Sequence, residues 1–232
     1  MGSWADRFVA SVVSALEAGA VEADAEPMEA YMRHQFPFLG VKVPGQEAAV
    51  RTALSAAGPP ADENEVVAAI DGLWARPERE HRYAGCRLAG RFAPQASPGF
   101  VDSTARWITT DPWWDTCDPL ARGCVGRVVR HNHQLRPKMD RWLCGDDLWL
   151  VRSAILHMGG WKHDIDRDWV FGACLFRAED TDFFIQKAIG WILRDLARFD
   201  PGAVVAFVEG PGGPVLSELS KREDLRNHRR TC

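Results

Sequence analysis

Three short segments concentrate the side chains of this sequence that could do chemistry. They are Trp113-Trp-Asp-Thr-Cys-Asp118, Trp149-Leu-Val-Arg152-Ser-Ala-Ile-Leu156 and Phe183-Phe-Ile-Gln-Lys-Ala-Ile-Gly-Trp191. Between them they carry two carboxylates, Asp115 and Asp118, the cations Arg152 and Lys187, and several indoles. A carboxylate about 4 Å from a developing unit positive charge, at an effective dielectric near 20, gains on the order of 4 kcal/mol, roughly a thousandfold in rate. It can also orient an attacking water. An indole face attracts a cation by about 0.5–2 kcal/mol.

Each of these residues also has an ordinary structural reading. Tryptophans at helical spacing, such as Trp114 and Trp191, usually pack in a core. Two carboxylates three residues apart in a first helical turn usually favour the positive end of the helix dipole. Asp115 suits that part better, whereas Asp118, followed by Pro119, is better placed to face a groove. Arg152, set among apolar neighbours, could bridge helices through an ion pair.

The elements that must position these residues read as all-α. Apolar residues recur at three- and four-residue steps in one segment after another, and alternating strand patterns are hard to find. The first helix runs from about Ser3 to Ala18, with Trp4, Phe8, Val12 and Leu16 one turn apart. Later helices are expected near 24–34, 45–57, 62–75, 78–92, 98–109, 113–129, 136–144, 147–158, 167–178, 182–199, 201–208 and 214–227. Gly58-Pro59-Pro60, Arg76-Pro77, Asp200-Pro201 and the glycine- and proline-rich 210–214 segment supply stops and starts. About a dozen helices joined by short loops suggest stacked helical pairs forming one repeat domain over 1–232, with a basic tail from about 221. Such arrays offer a curved inner surface to a large ligand, although no repeat is visible in the sequence itself.

With 46% hydrophobic and 26% charged residues, the chain can bury a core, which excludes a disordered tail or a disulfide-stapled miniprotein. The formal charge of −4 hides an asymmetry. Residues 1–80 carry 6 basic against 13 acidic side chains, whereas 82–141 carry 10 against 5. The middle of the chain therefore has a positive field that the total conceals. The six cysteines form no C-x-x-C pair and read as reduced, mostly buried thiols. No basic-then-apolar leader and no stretch near 18 apolar residues is present, so a soluble cytoplasmic protein without membrane contact is expected. The histidines lack helical metal-pair spacing, so no metal is expected. His131 and His133, beside Arg130, suit a solvated loop or a phosphate contact. The tail Lys221-Arg222…Arg226…Arg229-Arg230 suits a frayed basic end or a weaker contact of the same kind.

A further segment, Tyr31-Met-Arg-His-Gln-Phe-Pro-Phe-Leu-Gly-Val-Lys-Val-Pro44, completes a pattern. Its aromatics read as packing and Lys42 as a phosphate contact. In order and spacing, the four segments, from about residue 28 to 199, strongly resemble the AlkD-like DNA alkylation repair family, glycosylases that remove alkylated purines. The resemblance implies a solenoid of HEAT-like antiparallel helical pairs whose concave face cradles duplex DNA. Carried over by motif position, Asp118 is the catalytic carboxylate, Trp114 and Trp191 are aromatic walls beside the lesion, and Arg152 contacts the DNA backbone. Lys187, Lys42 and Trp113 join Arg152 as DNA-contacting residues. Where the family has a second basic residue just before Arg152, this chain has Val151, which puts one phosphate contact in doubt.

The implied activity is monofunctional hydrolysis of the N-glycosidic bond of cationic alkylpurines, such as 7-methylguanine and 3-methyladenine, in double-stranded DNA. It needs no cofactor and no lysine Schiff base, and a monomer suffices. The resemblance also implies that the lesion stays stacked, unlike the usual flipped base. Two other readings stand beside it: a non-catalytic relative that binds unusual DNA structures, and a helical-repeat scaffold for protein partners. The acidic residue at 118 speaks against the first, and the acidic first third of the chain suits the second.

Overall fold

The computed structural model describes residues 2–224, and among them there are helices and turns but no strand. The chain forms two compact units, 1–107 and 108–232, with the division falling inside one helix. The tail residues Arg226, Arg229, Arg230 and Cys232 lie outside the described residues.

The first unit comprises α1 (Trp4–Ala18), α2 (Glu22–Tyr31), α3 (Val43–Ala57), α4 (Glu63–Trp74), α5 (Arg79–Phe92) and most of α6 (Phe100–Thr109). Helix α1 begins with a reciprocal cap, in which the Ser3 hydroxyl accepts from the Asp6 amide and the Asp6 carboxylate from the Ser3 amide. Such a cap satisfies two amides that the helix leaves unbonded. Its predicted stripe of Trp4, Phe8, Val12 and Leu16 is buried against α3 and α4. Helix α2 ends at Tyr31, three residues before the expected boundary. Arg33 and His34 then take left-handed backbone, with φ of 58° and 53°.

The second unit continues with α7 (Trp114–Leu120), α8 (Gly126–His131), α9 (Arg136–Cys144), α10 (Leu148–Leu156), α11 (Arg167–Phe176), α12 (Phe183–Ala197), α13 (Pro201–Glu209) and α14 (Glu218–Asp224). The expected single helix over 113–129 is interrupted by a π-helical turn, Ala121–Val125, closed by the Gly126 amide on the Ala121 carbonyl. Pro119 cannot donate to the helix ladder, and Gly126 sits where a methyl group would lie 2.0 Å from the His157 carbonyl oxygen. The last helix starts at 218 instead of 214, after the glycine- and proline-rich turn.

Helices α7, α10, α12 and α14 start at 114, 148, 183 and 218, so their spacings are 34, 35 and 35 residues. Polar ties share this period. Arg152 bonds Asp118, Arg130 bonds Asp164, and Ser220 bonds the Gln186 carbonyl, each across 34 residues, while Arg167 bonds Asp200 across 33. A regularity invisible in residue identities thus shows in the geometry of the second unit, where helix starts and polar ties recur about one repeat length apart, as expected of stacked helical pairs.

Candidate active site

Side-chain caps fix two of the three helices that carry the site. Trp113 is the extended residue before α7. The Asp147 carboxylate accepts from the amides of Trp149 and Leu150 at the head of α10, and the Asp182 carboxylate accepts from those of Phe184 and Ile185 at the head of α12. Asp118, Arg152 and Lys187 are then each the fifth residue of their helix.

The first two meet. Arg152 Nε donates to Asp118 Oδ1 at 2.7 Å and Nη2 donates to Oδ2 at 2.8 Å, a two-pronged fork-to-carboxylate pair. Nη1 donates to the Phe184 carbonyl of α12. The Arg152 side chain is 2% exposed and that of Asp118 is 13% exposed, so only the carboxylate reaches the surface. Arg152 is thus ion-paired with Asp118 across α7 and α10.

Beneath the pair, Cys117 lies 3.3 Å from the Ser153 hydroxyl and donates to the Trp149 carbonyl. Burial, reinforced by the negative charge of Asp118, pushes the Cys117 thiol up to about 12, with Arg152 pulling the other way. This thiol is a packing group. It is not a nucleophile at neutral pH.

Aromatic rings frame the pair. Trp113, Trp149 and Phe184 pack with centroids 5.0–5.8 Å apart, and the Trp113 Nε1–H is buried without a hydrogen-bond partner. The half-buried Trp191 ring, two turns into α12, has Arg152, Lys187 and Arg194 at 5.3, 5.7 and 5.6 Å from its centroid. Trp114 opens α7 one turn before Asp118, and so shares its side of the helix.

Of the seven residues singled out from sequence, six thus lie in the second unit, on α7, α10 and α12 or capping them. The seventh, Lys42, belongs to the first unit. It pairs with Asp24 at 2.8 Å while remaining largely exposed. Sequence reasoning missed Phe184, whose carbonyl anchors Arg152, and the Cys117–Ser153 contact. It also missed Arg194 as the third cation at Trp191. Among the described residues no cluster of His, Cys, Asp and Glu could hold a metal, and no helix is long and apolar enough to cross a membrane.

The family model for DNA alkylation repair enzymes matches residues 12–227, so the chain belongs to that family. A solved structure described as a predicted DNA alkylation repair enzyme from Enterococcus faecalis superposes with a TM-score of 0.80 at 26% identity, covering 90% of this chain and 96% of that one. The helical-repeat fold is thus shared. No curated protein matches the chain.

Proposed function

We propose that the chain is a monofunctional DNA glycosylase that hydrolyses the N-glycosidic bond of cationic alkylated purines, such as 7-methylguanine and 3-methyladenine, in duplex DNA. The observation that carries this reading is the Asp118 carboxylate, oriented by a buried guanidinium and partly exposed in a family of DNA alkylation repair enzymes.

A purine alkylated at N3 or N7 carries a positive charge and leaves readily, so the bond breaks with little general-acid help. The sugar left behind resembles an oxocarbenium ion, and its positive charge is what the protein must stabilise. A carboxylate at about 4 Å contributes on the order of 4 kcal/mol at an effective dielectric near 20, and the guanidinium about 8 Å away on its far side takes back about 2 kcal/mol. The net of about 2 kcal/mol corresponds to roughly a 30-fold acceleration. Arg152 therefore halves the electrostatic effect of Asp118. The compensation is orientation, because a carboxylate held at both oxygens presents its remaining lone pairs to the sugar or to the attacking water without reorganising.

The indoles act on the same charge. Trp114 and Trp191 form aromatic walls for a cationic base. Trp191 already faces three of the chain's own cations, so its pull on a cationic base is weaker than that of a bare indole. Lys187 and Arg194, half-buried beside it, suit phosphates. The water oxygen bonds to C1′ as the C1′–N bond electrons leave with the purine, the water proton passes to solvent by way of Asp118, and an abasic site remains. No step calls on a lysine or a cofactor.

The test is single-turnover release of 7-methylguanine from a duplex oligonucleotide, scored as abasic sites by alkaline strand cleavage, for the wild type and Asp118→Asn. Release by the wild type and little by the variant, with binding retained in both, is expected. Equal rates would refute the role of Asp118. Salt-sensitive binding without release by either protein would leave a DNA-binding module, and no binding at all would leave a protein scaffold.

A further inference from the structure

We infer that Arg122 and Asp195 form a clasp that sets the place of the Trp191 ring, with Arg122 a positioning residue that acts through α12; this rests on the glycosylase reading above. Arg122 lies in the π-helical turn that follows α7, and its Nη2 donates to Asp195 Oδ2. The Asp195 side chain is 8% exposed and that of Arg122 is 35% exposed. Arg198 also pairs with Asp195, at 3.4 Å.

The path of Arg122 is built for this contact. A π turn takes up about one residue more than an α turn, which rotates the chain beyond it by roughly 100° relative to an unbroken helix. The turn then runs close over the end of α10. Gly126 packs against the His157 carbonyl, and Arg122 crosses Gly159, where a methyl group would stand 2.7 Å from Nε and 3.0 Å from the guanidinium carbon. Two positions without side chains thus let the turn lie low enough for Arg122 to reach past α10 to α12.

On α12 the clasp falls one turn after Trp191. The Phe184 carbonyl, which accepts from Arg152 Nη1, lies about two turns before it. Trp191 is therefore anchored on both sides. A slide or tilt of α12 against the segment that carries Asp118 would break one anchor or the other, so the two together fix the spacing between the carboxylate and the indole.

Arg122→Gln removes the clasp but leaves Asp195 its Arg198 partner, so no buried carboxylate is stranded and the fold is kept. Single-turnover release of 7-methylguanine at saturating protein should fall roughly 3- to 30-fold, the range that an indole's attraction for a cation is worth. Gly159→Ala, which crowds the guanidinium while leaving both charges in place, should reproduce the loss. Arg122→Lys keeps one donor for Asp195 and should restore most of the rate. In a Trp191→Ala background, Arg122→Gln should cost no further rate, because the ring it positions is gone. The log–log salt slope of DNA binding should stay at the wild-type value, where loss of a phosphate contact would reduce it by about 0.9.

Wild-type release by both Arg122→Gln and Gly159→Ala, no recovery with lysine, an equal loss with and without Trp191, or a reduced salt slope would each overturn the assignment while leaving the glycosylase reading intact. No release by the wild-type protein would sink both.

Discussion

Cys117 Sγ lies 3.3 Å from Ser153 Oγ, and these two residues adjoin the ion-paired Asp118 and Arg152 on the same two helices. The contact is buried, and with the thiol raised to about 12 by burial and by Asp118, Cys117 stays protonated wherever the protein is folded at ordinary pH. The folded protein should therefore resist alkylation at Cys117, while the exposed Cys144 reacts. Peptide mapping by mass spectrometry after iodoacetamide treatment at pH 8 checks this. Modification of Cys117 at the rate of Cys144 would mean that α7 and α10 separate readily, which would also remove the basis for a rigid Asp118.

Gly126 is the second point at which the α7–α8 segment depends on close approach. A methyl group there would stand 2.0 Å from the His157 carbonyl oxygen and 3.3 Å from that of Ala121. Both obstacles are backbone, so neither can swing aside. Gly126→Ala should cost about 3 kcal/mol or more, at the upper end of overpacking, despite the better helix propensity of alanine. Urea unfolding measures it. Gly123→Ala is the control, since open space surrounds that position and a small gain is expected.

Much of this was legible in the sequence. The apolar periodicity, as in the stripe of α1, the Asp200-Pro201 start, and the proline and glycine stops gave nearly every helix within a few residues. The tryptophan-rich segment before Asp118 was the strongest signal of the site. The repeat was not legible, because equivalent positions hold different chemistry: the fifth residue is Asp118 in α7, Arg152 in α10 and Lys187 in α12. One clue was present, namely opposite charges one repeat length apart at Asp118 and Arg152. It becomes informative only once helix starts are known to within a residue, which periodicity does not supply. The interruption at 121–125 was hidden for a related reason. It depends on the His157 carbonyl, some 30 residues distant in sequence, as much as on Pro119.

Glu80 shows how a buried charge holds a segment that lacks regular structure. Its carboxylate is fully buried and accepts from the amides of Leu39, Gly40 and Val41 at 2.9–3.0 Å. Gly40 adopts φ of 81°, where a side chain would also strike the Val21 carbonyl at 2.1 Å. The Leu39-Gly-Val41 stretch is thus pinned by one acid and one glycine, while the preceding Phe38 amide donates to Glu29 at 3.1 Å. Glu80→Gln replaces charge-assisted bonds with weaker ones and turns an amide NH2 toward backbone donors. A loss of about 2–4 kcal/mol is expected. Hydrogen exchange at Leu39, Gly40 and Val41 should accelerate more than tenfold, and unchanged exchange there would show that packing of Phe38 alone holds the segment.

His157 makes stability fall toward acid. Its ring is buried, Nδ1 donates to the Ala154 carbonyl at 2.6 Å, and Nε2 has no hydrogen-bond partner. The Trp161 and Trp169 rings stand edge-on to it at 5.6 and 5.0 Å. Burial, aided by the Arg136 charge, lowers its pKa to about 4 against an ordinary 6.5. The folded state therefore keeps the ring neutral where the unfolded chain already binds a proton. The stability contribution is complete above pH 6.5 and is lost as pH falls toward 4, amounting to about 2 kcal/mol between pH 7.5 and 5. Urea unfolding over that range should show the decline in the wild type and a shallower one in His157→Gln, whose side chain carries no proton in either state. Parallel declines for the two proteins would mean that His157 takes up its proton without unfolding, and that the aromatic cage opens to water.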